Sequence, residues 1–167
     1  MHIITGAKMN IALMGFSGTE KSAICMLLAK RLDKKLISIY DELLKKTGIS
    51  SQKFVKMHGL DKFHDLESEV IENLSDLDDC VFDTGLSAAM RNENIINLKR
   101  NSLIILLTAD IKKRAGRLNA KEDSAEDYGY DDGLKHEKSA DYIIDASSLS
   151  PEEVCDLIMH YVQAEVQ

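Results

Sequence analysis

Along the chain, five short apolar runs alternate with longer stretches whose apolar residues recur at helical spacing. The runs are residues 10–14 (Asn-Ile-Ala-Leu-Met), 36–39 (Leu-Ile-Ser-Ile), 80–82 (Cys-Val-Phe), 103–107 (Leu-Ile-Ile-Leu-Leu) and 142–144 (Tyr-Ile-Ile). They read as near-continuous hydrophobic strands, and strands of that kind separated by helices predict a parallel sheet covered on both faces. Residues 23–32 carry Ile24, Leu27, Leu28 and Leu32 at helical spacing, with Arg31 off the pattern. The last helix is the clearest. Ser150 caps it, Pro151 takes its first position and Glu153 completes a capping box. Val154, Leu157, Ile158, Tyr161 and Val162 then form its expected buried stripe. One segment breaks the alternation. Asn119 to Gly133 lacks apolar periodicity and holds Glu122, Asp123, Glu126, Asp127, Asp131 and Asp132 against Lys121 alone. A loop of that length within a compact domain predicts a lid or a disordered insert.

With one proline, no Ser/Gly-rich linker and no internal repeat, residues 9–167 read as a single domain and residues 1–8 as an N-terminal extension. The length suffices for a sizeable core. Hydrophobic residues make up 44% and charged residues 29%, which is ordinary for a soluble globular chain. No run of 18 apolar residues predicts a membrane span, and the first eight residues lack the features of a signal peptide. Cys25, Cys80 and Cys155 are odd in number, widely spaced and set among apolar residues. That pattern predicts reduced core thiols in a cytoplasmic protein, not disulfides or a metal site. The net charge of −7 argues against non-specific nucleic-acid binding while leaving room for a local basic pocket that holds a phosphate.

Between the first strand and the first helix stands Gly15-Phe16-Ser17-Gly18-Thr19-Glu20-Lys21-Ser22. This is the pattern G-x-x-x-x-G-K-[ST] with Glu20 where a glycine belongs, in the strand–loop–helix context that the motif requires. In such a loop the backbone N–H groups and the helix N-terminus wrap a phosphate, and the lysine reaches the β- and γ-phosphates. Gly15, Gly18, Thr19, Lys21 and Ser22 are therefore candidate nucleotide-binding residues. Glu20 adds a β-carbon and a negative charge. It is read either as an ion-pair partner of Lys21, as a built-in phosphate mimic in the anion hole, or as part of an empty loop stabilised by an acidic first turn. Asp83, following Cys80-Val81-Phe82, stands where a Walker B carboxylate would end a strand; the alternative is a cap for the Thr84-Gly85 turn. Lys21 and Asp83 are thus the candidate catalytic residues, and Ser22 and Asp83 the candidate Mg²⁺ ligands. His64 reads as a helix-surface or pocket-lining residue, and His58, His136 and His160 show no ligand spacing.

Taken together, these features resemble shikimate kinase, a small P-loop kinase of the nucleoside-monophosphate-kinase type, over residues 9 to about 162. Besides the loop, the anchors are Asp41-Glu42-Leu43-Leu44-Lys45-Lys46-Thr47-Gly48, similar to the family's D-E-L-I-E-K-R-T-G, and Phe63-His64-Asp65-Leu66-Glu67, similar to F-R-x-x-E. Asp83-Thr84-Gly85 is like T-G-G-G, and Ser139-Ala140-Asp141-Tyr142-Ile143-Ile144-Asp145 is like A-D-x-x-I-D. The resemblance implies an α/β fold of three layers, with a five-stranded parallel sheet flanked by helices, and the use of ATP and Mg²⁺.

At the functional positions the likeness is poorer. The family's D-x-D, which serves Mg²⁺ and shikimate, aligns with Ser38 and Tyr40, and a one-residue gap brings in Asp41. The arginine that binds the shikimate carboxylate is His64, and the glycine triplet is Gly85-Leu86-Ser87. The lid arginine falls near Ser124 and a further substrate arginine near Asp132, whereas Arg117 keeps the place of the adenine-stacking arginine. Asp41, His64 and Gly85 are the implied substrate positions. Since phosphoryl transfer rests on positioning and charge neutralisation by Mg²⁺, Lys and Arg, the expectation is a shikimate-kinase-like protein with residual or altered nucleotide binding, weak for Mg-ATP, and impaired shikimate phosphorylation. Two alternatives stay open: an active ATP-dependent kinase for shikimate or another hydroxyl substrate, and a non-catalytic interaction or regulatory domain.

Overall fold

The computed structural model describes residues 8–15, 19–109 and 137–166. Its strands are β1 (Asn10–Gly15), β2 (Lys35–Ser38), β3 (Cys80–Gly85), β4 (Ser102–Thr108) and β5 (Tyr142–Asp145). Its helices are α1 (Lys21–Leu32), α2 (Ile39–Thr47), α3 (Ser51–His58), α4 (Leu60–Leu74), α5 (Asn92–Lys99) and α6 (Pro151–Val166), with a 3₁₀ turn at Leu86–Met90. All neighbouring strands are parallel, in the order β2-β3-β1-β4-β5. The five predicted strands are all present, extended by a residue or more at their ends. Ile39 is the exception: it leaves the sheet and opens α2.

Side chains alternate across the sheet, so each central strand feeds two cores. Ile11, Leu13, Val81, Leu103, Ile105 and Leu107 face α1 and α6. Ala12, Met14, Phe82, Ile104 and Leu106 face the opposite layer, where Leu43, Phe63, Ile71, Ile95 and Leu98 cover them. β1 lies at the centre, and all six of its residues are buried. The outcome is the three-layer arrangement that continuous apolar runs foretold.

α6 keeps its predicted capping box: Glu153 N–H donates to Ser150 Oγ at 3.1 Å, and Ser150 N–H donates to Glu153 Oε2 at 3.2 Å. Its buried stripe differs from the expected one at Leu157 and at Tyr161, which is only half-buried. Val154, Ile158 and Val162 are buried, but Leu157 is exposed and Cys155 takes the inward position, donating its S–H to the Ile24 carbonyl of α1 at 3.6 Å. The helix is rotated so that a small thiol, not a leucine, meets α1. All three cysteines are buried free thiols. Burial pushes the Cys155 thiol up to about 11.

Candidate functional site

β1 hands the chain to α1 through the phosphate-loop motif. Of that motif, Phe16, Ser17 and Gly18 lie outside the described residues, as do Arg117 and the acidic segment 119–133. Gly15 is packed tightly: a β-carbon there would stand 2.9 Å from the Leu107 carbonyl oxygen. Thr19 is buried. Glu20 is the N-cap of α1 and holds φ 61°, ψ 26°, the left-handed conformation that glycine takes freely. The glycine of the motif has been replaced, yet the backbone keeps a glycine's shape, at a cost of about 1 kcal/mol for a residue with a β-carbon. The Glu20 side chain itself is exposed.

The first turn of α1 points its two polar residues at β3. Lys21 Nζ lies 2.9 Å from Asp83 Oδ1, with the two side chains only 3% and 8% exposed. Ser22 Oγ donates to Asp83 Oδ2 at 2.8 Å. Asp83 shares Val81's parity on β3 and so faces α1, and its register partners are Leu13 of β1 and Ser38 of β2. One carboxylate therefore gathers the lysine and the serine of the motif. Asp83 stands inside β3, which runs on to Gly85, so it is not the cap of a Thr-Gly turn. The Lys21 ion pair described here is with Asp83, not with Glu20.

A second polar cluster lies at the ends of β2 and β3. Ser38 ends β2 and caps α2, its Oγ accepting from the Asp41 N–H at 3.3 Å, while Asp41 sits exposed in the first turn of the helix. Tyr40 lies directly over Gly85: a β-carbon at Gly85 would run into the Tyr40 hydroxyl and stand 2.9 Å from its Cε2 and Cζ. The Tyr40 hydroxyl is 3.1 Å from Ser87 Oγ, and Ser87 Oγ donates to Glu67 Oε2 at 2.5 Å. Glu67 projects from α4 beside His64, whose Nδ1 is 3.5 Å from Glu67 Oε1. Neither of those last two atoms has a hydrogen-bond partner among the described residues. His64 is 7% and Glu67 1% exposed. The expectation of a helix-surface histidine is corrected here, because the apolar stripe of α4 carries His64 inward together with Phe63, Glu67, Val70 and Ile71.

The structure thus joins Lys21, Ser22 and Asp83 into one cluster, and Gly85 and His64 into another; Asp41 stands on the exposed side of α2. Sequence reasoning missed Tyr40, Ser87 and Glu67 as a connected set. The available signal was that two positions expected to be acidic or glycine had both gained hydroxyls, so that each could partner the other. Among the described residues no group of three or more His, Cys, Asp or Glu side chains is arranged to hold a metal ion, and no helix is long and apolar enough to cross a membrane.

A sequence model described as shikimate kinase matches residues 17–163. Among curated proteins, the shikimate kinase of Caldicellulosiruptor bescii is 37% identical over 109 residues, covering 65% of this chain and 63% of that protein. The chain thus spans less than two thirds of that relative's length. The shikimate kinase of Thermodesulfovibrio yellowstonii is 30% identical over 161 residues, covering 90% of this chain and 92% of the relative. Among solved structures, the shikimate kinase of Acinetobacter baumannii in complex with shikimate superposes with a TM-score of 0.83 at 20% identity, covering 94% of each chain. That likeness carries the fold.

Proposed function

The chain belongs to the shikimate kinase family, and we propose that it is a nucleotide-binding member whose phosphorylation of shikimate is impaired. The observation that carries this reading is Tyr40 lying on Gly85. Glycines in that stretch are where backbone would approach the substrate ring, and here a phenol ring covers the surface. Next to it, His64 stands in place of the carboxylate-binding arginine. A buried carboxylate ligand would meet Glu67 with no bidentate guanidinium from that position to offset it.

The phosphate end supports retained nucleotide binding. Lys21 is a cation held at a helix N-terminus, and Glu20 keeps the left-handed conformation that the motif's glycine would take there. The residues present fit a magnesium nucleotide: Ser22 and Asp83 are adjacent oxygen donors of the type Mg²⁺ takes, with phosphate and water completing its shell. When bound, Mg²⁺ and its nucleotide would supply charge neutralisation and the transferable phosphoryl group. Lys21 would turn from Asp83 toward phosphate, and Thr19, Gly15 and Gly18 would line the loop. Arg117, in the place of the adenine-stacking arginine, completes the proposed nucleotide set. Asp41, exposed on α2, remains a substrate-side carboxylate.

In the same reading, residues 9–167 form one domain preceded by a short extension. The three buried thiols support a cytoplasmic, reducing setting.

Calorimetric titration with Mg-ATP, followed by a coupled assay with shikimate, tests the reading. The expected result is measurable but weak nucleotide binding without shikimate turnover. Ordinary turnover, on the order of 1–100 s⁻¹, would overturn it. Binding of neither compound would favour a non-catalytic interaction domain.

A further inference from the structure

Beneath Tyr40 lies a buried polar set whose chemistry differs from that of a carboxylate site. Ser87 Oγ is held between the Tyr40 hydroxyl and Glu67 Oε2. Behind it, Glu67 Oε1 and His64 Nδ1 are buried and lack hydrogen-bond partners among the described residues. Buried polar atoms left in that state are unusual, because each gives up hydration without replacement. Nearby cations are engaged elsewhere: Arg91 Nη1 pairs with Asp65 at 2.7 Å, and Lys46 pairs with Glu69 at 2.5 Å. The buried set linked to Tyr40 thus offers a carboxylate oxygen that accepts, an imidazole nitrogen and a serine hydroxyl.

That set matches hydroxyl or amine donors and repels a carboxylate. We propose that the pocket covered by Tyr40 takes a hydroxyl-bearing ring compound without a carboxylate, and that Tyr40 is the residue that must swing aside to admit it. Such a ligand donates to Glu67 Oε1, meets His64 Nδ1 with a second hydroxyl and takes over the Ser87 hydroxyl from Tyr40. Rotation of Tyr40 gives up the hydrogen bond between its hydroxyl and Ser87, while the ligand's hydroxyls supply partners to Glu67 Oε1 and His64 Nδ1, which have no hydrogen-bond partner among the described residues. Selectivity then arises from repulsion of the anion as much as from attraction of the neutral ring. The inference rests on the reading that shikimate itself is a poor substrate, and it names the class of acceptor that would replace it.

Methyl shikimate and shikimate share one ring and its hydroxyls and differ in whether the carboxyl carries charge. Both should be titrated into the full chain by calorimetry, with Mg-ADP titrated into the same preparation. Methyl shikimate is expected to bind at least about tenfold more tightly than shikimate, the scale of one like-charge contact in a partly screened pocket. Glu67→Gln, which keeps the shape and an acceptor for Ser87, should shrink that preference toward unity. Tyr40→Ala should strengthen methyl shikimate binding without changing the order of the two compounds. A His64→Arg variant that melts like the parent should reverse the preference.

Equal or tighter binding of shikimate by the unaltered chain overturns the proposal, as does failure of both ring compounds to bind the parent and Tyr40→Ala. The Mg-ADP titration separates the two levels. Nucleotide binding with no ring binding sinks the pocket alone, whereas loss of nucleotide binding sinks the underlying reading.

Discussion

The two ends of the cleft have been treated differently. At the phosphate end, Lys21 and Ser22 meet Asp83 in contacts of 2.9 and 2.8 Å, and even the glycine-like turn survives the arrival of Glu20. At the proposed acceptor end, Tyr40 covers Gly85 and bonds to Ser87, Ser87 bonds to Glu67, and His64 is buried beside them. The phosphate cluster is a set of charges that a polyanion could draw apart. The other cluster is a pair of hydroxyls and an imidazole gathered around one buried carboxylate, Glu67. The difference teaches that a fold can keep a charged cradle, because α1 and β3 are positioned by the core on which the domain depends. The same fold can cover the neighbouring Gly85 surface with loop and helix residues, at the cost of two buried polar atoms without hydrogen-bond partners among the described residues.

The largest expected effect lies at the phosphate end. Asp83→Ala removes one partner of the buried Lys21–Asp83 ion pair, a change that costs about 3–5 kcal/mol. Urea unfolding of the single variant against the parent measures it. A Lys21→Met/Asp83→Leu double variant should lose far less, because neither charge then remains desolvated. If Asp83→Ala unfolds with the parent's midpoint, the pair is solvated and the contrast between the two ends disappears.

At the acceptor end the expected effect is smaller and its sign depends on a partner. Gly85→Ala inserts a methyl group against the Tyr40 ring, an overpacking that costs about 1–3 kcal/mol. Placed on a Tyr40→Ala background, the same substitution should be close to neutral, since the atoms it meets are gone. The coupling between the two changes, obtained from a double-mutant cycle by chemical denaturation, should therefore account for most of the single-variant loss. Additive losses would mean that Tyr40 does not lie on Gly85 in solution, and the refilled pocket would have to be abandoned.

How much of this was legible beforehand follows from the range of the forces involved. The strands were readable because Ile11-Ala12-Leu13-Met14 and Leu103 to Leu107 are apolar on both faces, a local property of the sequence. The start of α6 was readable because Ser150, Pro151 and Glu153 act within one turn. Its rotation was not, since whether Cys155 or Leu157 turns inward is decided by α1, more than a hundred residues away. The same limit holds in the site. Lys21, Ser22 and Asp83 could be named from motif context, but ruling out a turn cap at Asp83 needed the strand's true end at Gly85. Tyr40, Ser87 and Glu67 come from three separate segments; Tyr40 and Ser87 each alone look like a departure from the family pattern, and Glu67 alone looks like a match to it. Only their contact reveals a replacement.

Glu20 offers the finest test, because it belongs to the preserved end yet departs from the motif. Two effects of Glu20→Gly should add. The first is conformational: a residue with a β-carbon at φ 61° is strained, and glycine relieves about 1 kcal/mol of that strain. Part of the gain is returned, since glycine loses more backbone freedom on folding, so the net stabilisation should be a fraction of a kcal/mol. The second is electrostatic. A carboxylate one residue from Lys21 opposes an incoming polyphosphate, but its exposure to solvent places the interaction nearer to the screened limit than to that of a buried charge. Mg-ATP affinity should therefore rise by about tenfold at low salt, and the gain should shrink as salt screens the charge. Glu20→Gln separates the two contributions, since it removes the charge and keeps the strain. It should give most of the gain in affinity and none of the gain in stability. Equal Mg-ATP affinities for the parent, Glu20→Gln and Glu20→Gly across low and high salt would mean that the acidic residue does not face the phosphate site. The departure from the motif would then be conformational alone.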